Sequence, residues 1–401
     1  MTDSPLLCLA IAFAAALLMG RLIRYIHLPN VTAYLVAGLL IGPVFHLIPD
    51  TQVKELSILS DVALGFIAYS IGAEFKLTYL KEIGVKPVVI TCFESVFASL
   101  LVFLALLLFG QPLEICLTLS AIAAATAPAA TLMVVRQYHA DGPVCRMLLP
   151  VVAMDDATGL MLYAILSKLA ISVARAGSEQ AGIVELVLMP LLQIVKSLGV
   201  GVVIGLVLCY VLRFFHSRGN KLSLTLTAVF IGVGLSDSRI LDLSSLLVCM
   251  MIGATMVNLY EKSDSMLEVC DRFTPPLFMI FFVLSGAALD FNALLVAGPI
   301  CAVYVIVRVL GKVSGATLGA LIEKCDKNIV HWLGLTLVPQ AGVAIGMARL
   351  ALRDLGSEPG SAGLIINAVV LAGTLIYELT GPIITKMALT KAGEIEPAAK
   401  T

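Results

Sequence analysis

The stretch Met154-Asp155-Asp156-Ala157-Thr158-Gly159 places two adjacent carboxylates inside an apolar run from Met147 to Ala174. A charge near the centre of a bilayer costs about 2.5–3.5 kcal/mol on insertion scales. A chain that carries two side by side at that depth uses them, and the chemistry available to paired carboxylates there is an ion or proton site. The competing reading is a polar pair at a helix end, which the apolar residues on both sides disfavour. Arg308 and Lys312 lie four apart in another apolar stretch, so they share one helical face. A basic pair at that depth requires acidic or carbonyl partners, and Asp155 and Asp156 are the obvious candidates. The hydroxyls of Thr126 and Thr131 would complete a set of hard oxygens suited to sodium or potassium, and the absence of Cys/His clusters argues against a transition metal. Glu94 and Glu378 also lie at membrane depth. Two readings stand for them: structural pairing within the core, with Arg308 as one partner, or a place on a proton path.

Helices must position these groups. The 401 residues are 60% hydrophobic and 13% charged, with a mean hydropathy of +1.02; a soluble domain carries about 25% charged residues. The chain is an integral membrane protein. A net charge of −1 excludes a broad basic face for nucleic acid. The nine cysteines are scattered without CxxC or metal-ligand spacing and read as small apolar fillers. The N-terminus lacks a basic region and a cleavage site, so the first span is expected to be retained. Thirteen apolar spans are expected, at 5–20, 28–47, 55–74, 87–109, 113–135, 147–173, 185–212, 222–236, 241–260, 274–289, 293–322, 329–348 and 362–388. The eighth is short, and the eleventh and thirteenth are long enough to tilt. With the N-terminus outside, seventeen Lys and Arg residues fall in inward loops and the tail against five in outward loops. That asymmetry orients the chain with its C-terminus in the cytoplasm.

Two of the spans are interrupted. The fifth contains Ala125-Thr126-Ala127-Pro128-Ala129-Ala130-Thr131 and the twelfth Leu337-Val338-Pro339-Gln340-Ala341-Gly342. Proline inside a helix removes a backbone donor and clashes with the preceding turn. Ordinary proline kinks are the simpler reading, but position favours another. If spans one to six and eight to thirteen form two halves with the seventh as linker, the breaks are the fifth member of each half. The third members match as well: Gly72-Ala73-Glu74-Phe75 ends one and Ala288-Leu289-Asp290-Phe291 the other. An offset of seven spans inverts one half relative to the other. Paired interruptions in inverted repeats point to a transport site at the midplane, where freed backbone groups line a cavity or are buried in protein.

In these residues the chain resembles the monovalent cation:proton antiporter superfamily, in particular its second branch of sodium/proton and potassium/proton exchangers. The features are Thr126 to Thr131 around Pro128, Asp155-Asp156, Arg308 with Gly311-Lys312, the break at Pro339-Gln340, and Tyr377-Glu378-Leu379-Thr380-Gly381-Pro382. The resemblance runs over nearly the whole chain. It implies an all-α polytopic fold of about thirteen transmembrane helices, with inverted repeats and crossed discontinuous helices. It further implies a dimerisation bundle from 1–78 and 221–291, a core transport bundle from 84–174 and 292–390, a linker helix at 185–218 and a short cytoplasmic tail at 391–401. Within the family pattern Asp156 takes proton or cation in turn, Asp155 pairs with Lys312, and a paired Asp marks electrogenic exchange. A homodimer in a bacterial inner membrane, serving pH homeostasis, is the corresponding expectation. Where some relatives carry Asp or Ser after the threonine of the first break, this chain has Ala127, and Gln340 is the candidate substitute.

The expected function is exchange of Na+ or K+ for protons by elevator-like alternating access. Asp156 holds a proton or coordinates a cation, never both, and that competition couples the fluxes. The transported ions are substrates; no cofactor is expected. A sodium-coupled symporter of an organic solute is the alternative, and a channel is a third reading disfavoured by the buried Asp pair. No nucleophile–base arrangement suggests an enzyme. His27, His46, His139, His216 and His331 are dispersed, and pH sensing through His139, His216 or His331 is a minority reading.

Overall fold

The computed structural model describes residues 4–23, 30–73, 75–78, 81, 84–127, 131, 134–135, 138–176, 183–215, 217–237, 243–289 and 291–395. Pro128, Glu74, Asp290, His27 and His216, each named in the sequence analysis, and Arg24, Arg136 and Arg239, counted there among the loop basic residues, lie outside the described residues. Every regular element among those described is helical. This follows from the solvent: in hydrocarbon a helix satisfies its own backbone.

The helices are α1 (Pro5–Ile23), α2 (Asn30–Leu39, continued by a π turn Leu40–Val44), α3 (Asp50–Glu55), α4 (Ser57–Ala73), α5 (Val85–Leu108), α6 (Leu113–Ala123), α7 (Pro143–Ala176) and α8 (Ile183–Leu212). They continue as α9 (Arg218–Asp237), α10 (Ser245–Leu259), α11 (Ser263–Ala287), α12 (Phe291–Ile322), α13 (Lys327–Thr336), α14 (Gly342–Asp354) and α15 (Ala362–Ala392). Six of them are long and apolar enough to cross a membrane: α1, α5, α7, α8, α12 and α15. The stretch expected at 222–236 is a longer helix of 20 residues. The two long stretches are helices of 32 and 31 residues. At 1.5 Å per residue each exceeds a hydrocarbon core of about 30 Å, so tilt or projection from the membrane absorbs the excess. The interrupted stretches do break: α6 stops at Ala123, and α13 stops at Thr336, six residues before α14 begins at Gly342.

The chain divides into two compact units. One comprises Met1–Ala16, Ala37–Glu82 and Ala176–Ala288, which includes α8. Here α4 and α10 meet backbone to backbone: a Cβ on Gly72 would strike Met250 O, and one on Gly253 would strike Tyr69 O. Small residues at such crossings let helices approach closely where water supplies no driving force. Asn258 ties the chain after α4 to α10 by donating to Phe75 O at 2.7 Å and accepting from Leu77 N at 2.8 Å.

The other unit comprises Leu17–Val36, Ile83–Arg175 and Leu289–Thr401, and it contains both helix breaks and the paired aspartates. Its axis is α5 against α12. Gly311, Gly315 and Gly319 recur every four residues on one face of α12, where a Cβ would lie 2.6 Å from Ala98 Cα, 2.5 Å from Glu94 Cα and 2.8 Å from Ile90 Cα. That stripe brings Glu94 on α5 up against the turn of α12 that carries Lys312. Two more glycines seat the breaks. A Cβ on Gly159 of α7 would lie 3.2 Å from Ala125, and one on Gly381 of α15 would lie 2.7 Å from the Pro339 ring.

Candidate ion and proton site

The broken helices leave carbonyls without partners, as every helix C-terminus does. At the end of α6, Ala123 O accepts from Arg308 Nε at 3.0 Å and Ala125 O from Arg308 Nη2 at 2.6 Å. Ala124 O accepts from Lys312 Nζ, and Ile122 O from Gln340 Nε2 at 2.8 Å. At the end of α13, Val338 O accepts from Arg308 Nη1 at 2.7 Å, Leu337 O from the Thr126 hydroxyl at 3.3 Å and Thr336 O from the Thr131 hydroxyl at 3.0 Å. The two unwound segments also bond directly, Ala127 N to Pro339 O at 2.9 Å. Two cations thus sit at the negative end of the α6 dipole, and one guanidinium joins both breaks. A planar fork with several donors is suited to reaching separate carbonyls on two segments at once.

The paired aspartates lie on α7, with Asp155 fully buried and Asp156 6% exposed. Lys312 Nζ lies 3.1 and 2.9 Å from the two Asp155 oxygens and 2.6 Å from Glu94 Oε2. All three side chains are fully buried. One ammonium therefore serves two carboxylates. Of the two acids expected as partners of the basic pair, Asp155 meets Lys312, while Arg308 contacts carbonyls. Glu94, for which Arg308 was one candidate partner, meets Lys312 instead. Glu378 lies apart from this cluster: it is buried on α15 and accepts from the Thr32 hydroxyl at 3.3 Å. Pro339 and Gln340 lie in the second break and are buried; Gln340 also accepts from Tyr304 OH at 3.0 Å.

Ser95 and Tyr304 were not singled out by the sequence, and Thr158 and Tyr377 were named there only within longer motifs, without a role. Ser95 donates to Asp155 Oδ1 at 2.9 Å and lies 2.8 Å from the Thr158 hydroxyl, which itself donates to Asp155 O at 2.9 Å. Ser95 follows Glu94, and Thr158 sits one turn after Asp155, so both had a local signal. Tyr304 and Tyr377 had less: the ring of Tyr377 packs over the Arg308 guanidinium at 4.6 Å, a stacking that strengthens when desolvated. Among the described residues no three His, Cys, Asp or Glu side chains cluster to hold a metal ion. At the other end of this unit, where α6 and α15 begin, a cavity of about 250 Å³ is lined by Glu114, Ile171, Ala174, Asp354, Leu355 and Ala362.

The family pattern described as "Sodium/hydrogen exchanger, transmembrane" matches residues 9–389, nearly the whole chain. The chain belongs to the sodium/hydrogen exchanger family. It is an integral membrane cation/proton exchanger, and the symporter alternative is not favoured. The exchanger's fold is similar to that of the sodium proton antiporter MjNhaP1 from Methanocaldococcus jannaschii. One structure of that antiporter, at pH 8, superposes with a TM-score of 0.75 at 17% identity, covering 96% of this chain and 98% of that one. A second, from an electron-microscopy map, gives 0.70 at 17% identity over 97% and 98%. No curated protein matches the exchanger in sequence.

Proposed function

We propose that exchange runs through Asp156, which alternately holds a proton and coordinates Na+ or K+, as the unit bearing the two helix breaks moves between faces of the membrane in an elevator-like cycle. The observation that carries this reading is the buried Asp155–Asp156 pair beside two broken helices bonded to each other. Such a break brings hard oxygens of backbone and hydroxyl groups together away from helix ladders. Asp155 is anchored by Lys312 and Ser95, and Asp156, the second carboxylate of the pair, is the one the family resemblance assigns to exchange. Thr126 and Thr131 donate their protons to carbonyls, so their oxygens keep lone pairs to offer a cation. Arg308, Lys312 and Gln340 hold the carbonyls of the breaks and so keep the breaks unwound. Glu94 shares Lys312 with Asp155, which makes it a candidate second proton holder; Glu378, bonded to Thr32, is a candidate on a separate proton path.

The further assignment follows the same reading. Residues 84–174 and 292–390 form the transport bundle, 1–78 and 221–291 a dimerisation bundle, 185–218 the linker and 391–401 a cytoplasmic tail. The exchanger works as a homodimer in a bacterial inner membrane, with its N-terminus outside. The loop before α7, the α12–α13 turn and the tail after α15 meet at one end of their unit, as Asn328 Nδ2 donates to Ala392 O at 3.0 Å and Asp141 N to Glu394 O at 3.2 Å. These segments carry several of the basic residues expected to face inward. The test is proton movement in proteoliposomes driven by sodium, potassium or lithium. Wild-type protein is expected to respond to at least one cation, and Asp156→Asn, folded and at matched protein level, to none. Near-normal exchange by that variant would remove Asp156 from the mechanism.

A further inference from the structure

The helix that carries the aspartates begins without a cap of its own. Gly142 stands at the N-cap position of α7 and offers no side chain, and Pro143 follows. The amides one and two residues on, Val144 N and Cys145 N, are those that an N-cap Ser or Asp would normally satisfy. Both instead donate to one carboxylate 250 residues away: Val144 N to Glu394 Oε1 at 2.6 Å and Cys145 N to Glu394 Oε2 at 2.9 Å. Three further observations show that this contact is built into the fold. Gly393 ends α15 in the left-handed conformation (φ 77°), which turns the chain back and aims Glu394 at α7. Asp141 N donates to Glu394 O, and Ile395 is buried in the same core cluster as Val144, Cys145 and Leu148. A Cβ on Gly142 would collide with the Glu394 side chain, so the bare glycine makes room for it.

We propose that Glu394 is a positioning residue: the tail carboxylate caps α7 in trans and fixes the helix on which Asp155 and Asp156 stand. The need for it lies in Pro150, which sits inside α7 and removes a backbone donor. Arg146 O therefore lacks its helical donor, so the two turns from Pro143 to Leu149 are tied less firmly to the rest of the helix, and so short a stretch depends on its cap. A carboxylate at its positive end supplies both hydrogen bonds and dipole stabilisation. The link to transport rests on the assignment of the aspartates above; the cap itself does not.

The test combines Glu394→Ala, Gly142→Ser and the double variant in the full-length chain. Hydrogen exchange of peptides covering Val144 and Cys145 reads the cap directly, and the cation concentration for half-maximal exchange in proteoliposomes reads its consequence. Glu394→Ala is expected to speed amide exchange there and to raise the half-maximal cation concentration, each about fivefold, the equivalent of losing one cap. Gly142→Ser alone collides with Glu394 and is expected to impair both. Added to Glu394→Ala, the same serine occupies the vacated space as a local cap and restores both to within about twofold of wild type. This reversal of sign is what a merely disturbed tail would not produce. Unchanged amide exchange in Glu394→Ala, or a Gly142→Ser effect that is harmful in both backgrounds, overturns the cap. Faster amide exchange with unchanged cation dependence overturns the positioning role. Exchange retained in Asp156→Asn would instead sink the site assignment and leave the cap standing.

Discussion

Lys312 is bracketed by Asp155 on one side and Glu94 on the other, at 2.9 and 2.6 Å. This makes the two ends of the ion pair unequal. Removing one partner of a buried pair typically costs about 3–5 kcal/mol, because the other charge stays uncompensated. Asp155→Asn leaves Lys312 with Glu94, so its cost is expected at or below the lower end of that range. Lys312→Ala leaves two carboxylates and the Ala124 carbonyl without their cation, so it is expected at the upper end. The double variant should recover part of the loss, and a double-mutant cycle on melting temperature in detergent isolates the coupling. Strictly additive losses, or a larger loss from Asp155→Asn than from Lys312→Ala, would contradict the geometry.

Among the elements, α5 and α12 hold the site by glycine contact rather than by bulk. Gly315→Ala would place a methyl 2.5 Å from Glu94 Cα, and overpacking of this kind costs about 1–3 kcal/mol. It is expected to lower the melting temperature and also the exchange rate, since it pushes Glu94 away from Lys312. Gly298→Ala on the same helix meets nothing within 4 Å and should change neither. Equal effects from both would mean that helix propensity, and not the crossing, governs α12. The broken helices obey the same economy of partners. Each lost turn frees carbonyls that hydrocarbon cannot satisfy, and each such carbonyl named above has a donor from another element.

For the molecule as a whole, the distribution of Lys and Arg is the one feature that addresses orientation. Seventeen basic residues in the proposed inward segments against five outward lead to the expectation that green fluorescent protein fused after Thr401 will fluoresce in bacterial cells, because it matures only in the cytoplasm. A dark fusion with a normally active exchanger would reverse the assignment. The paired-Asp reading adds that exchange moves net charge, so cation jumps on supported membranes should give currents.

Helical membrane architecture was legible from composition and apolar run length, because hydrocarbon leaves a chain few backbone solutions. The burial of Asp155 and Asp156, the shared face of Arg308 and Lys312, and the interruption at Pro339 were legible too, since apolar run length, periodicity and proline chemistry act within a single helix. What periodicity cannot convey is which faces of distant helices meet. Only the tertiary structure directed Arg308 to carbonyls rather than carboxylates. Only it gave Lys312 a second acid in Glu94, brought Ser95 to Asp155 and set Glu394 over the first turn of α7. Those partners lie from 30 to 250 residues apart in sequence. Their pairing is decided by how closely helices cross, and that is governed by single glycines such as Gly311, Gly315 and Gly142, whose contacts exist only once the helices are packed.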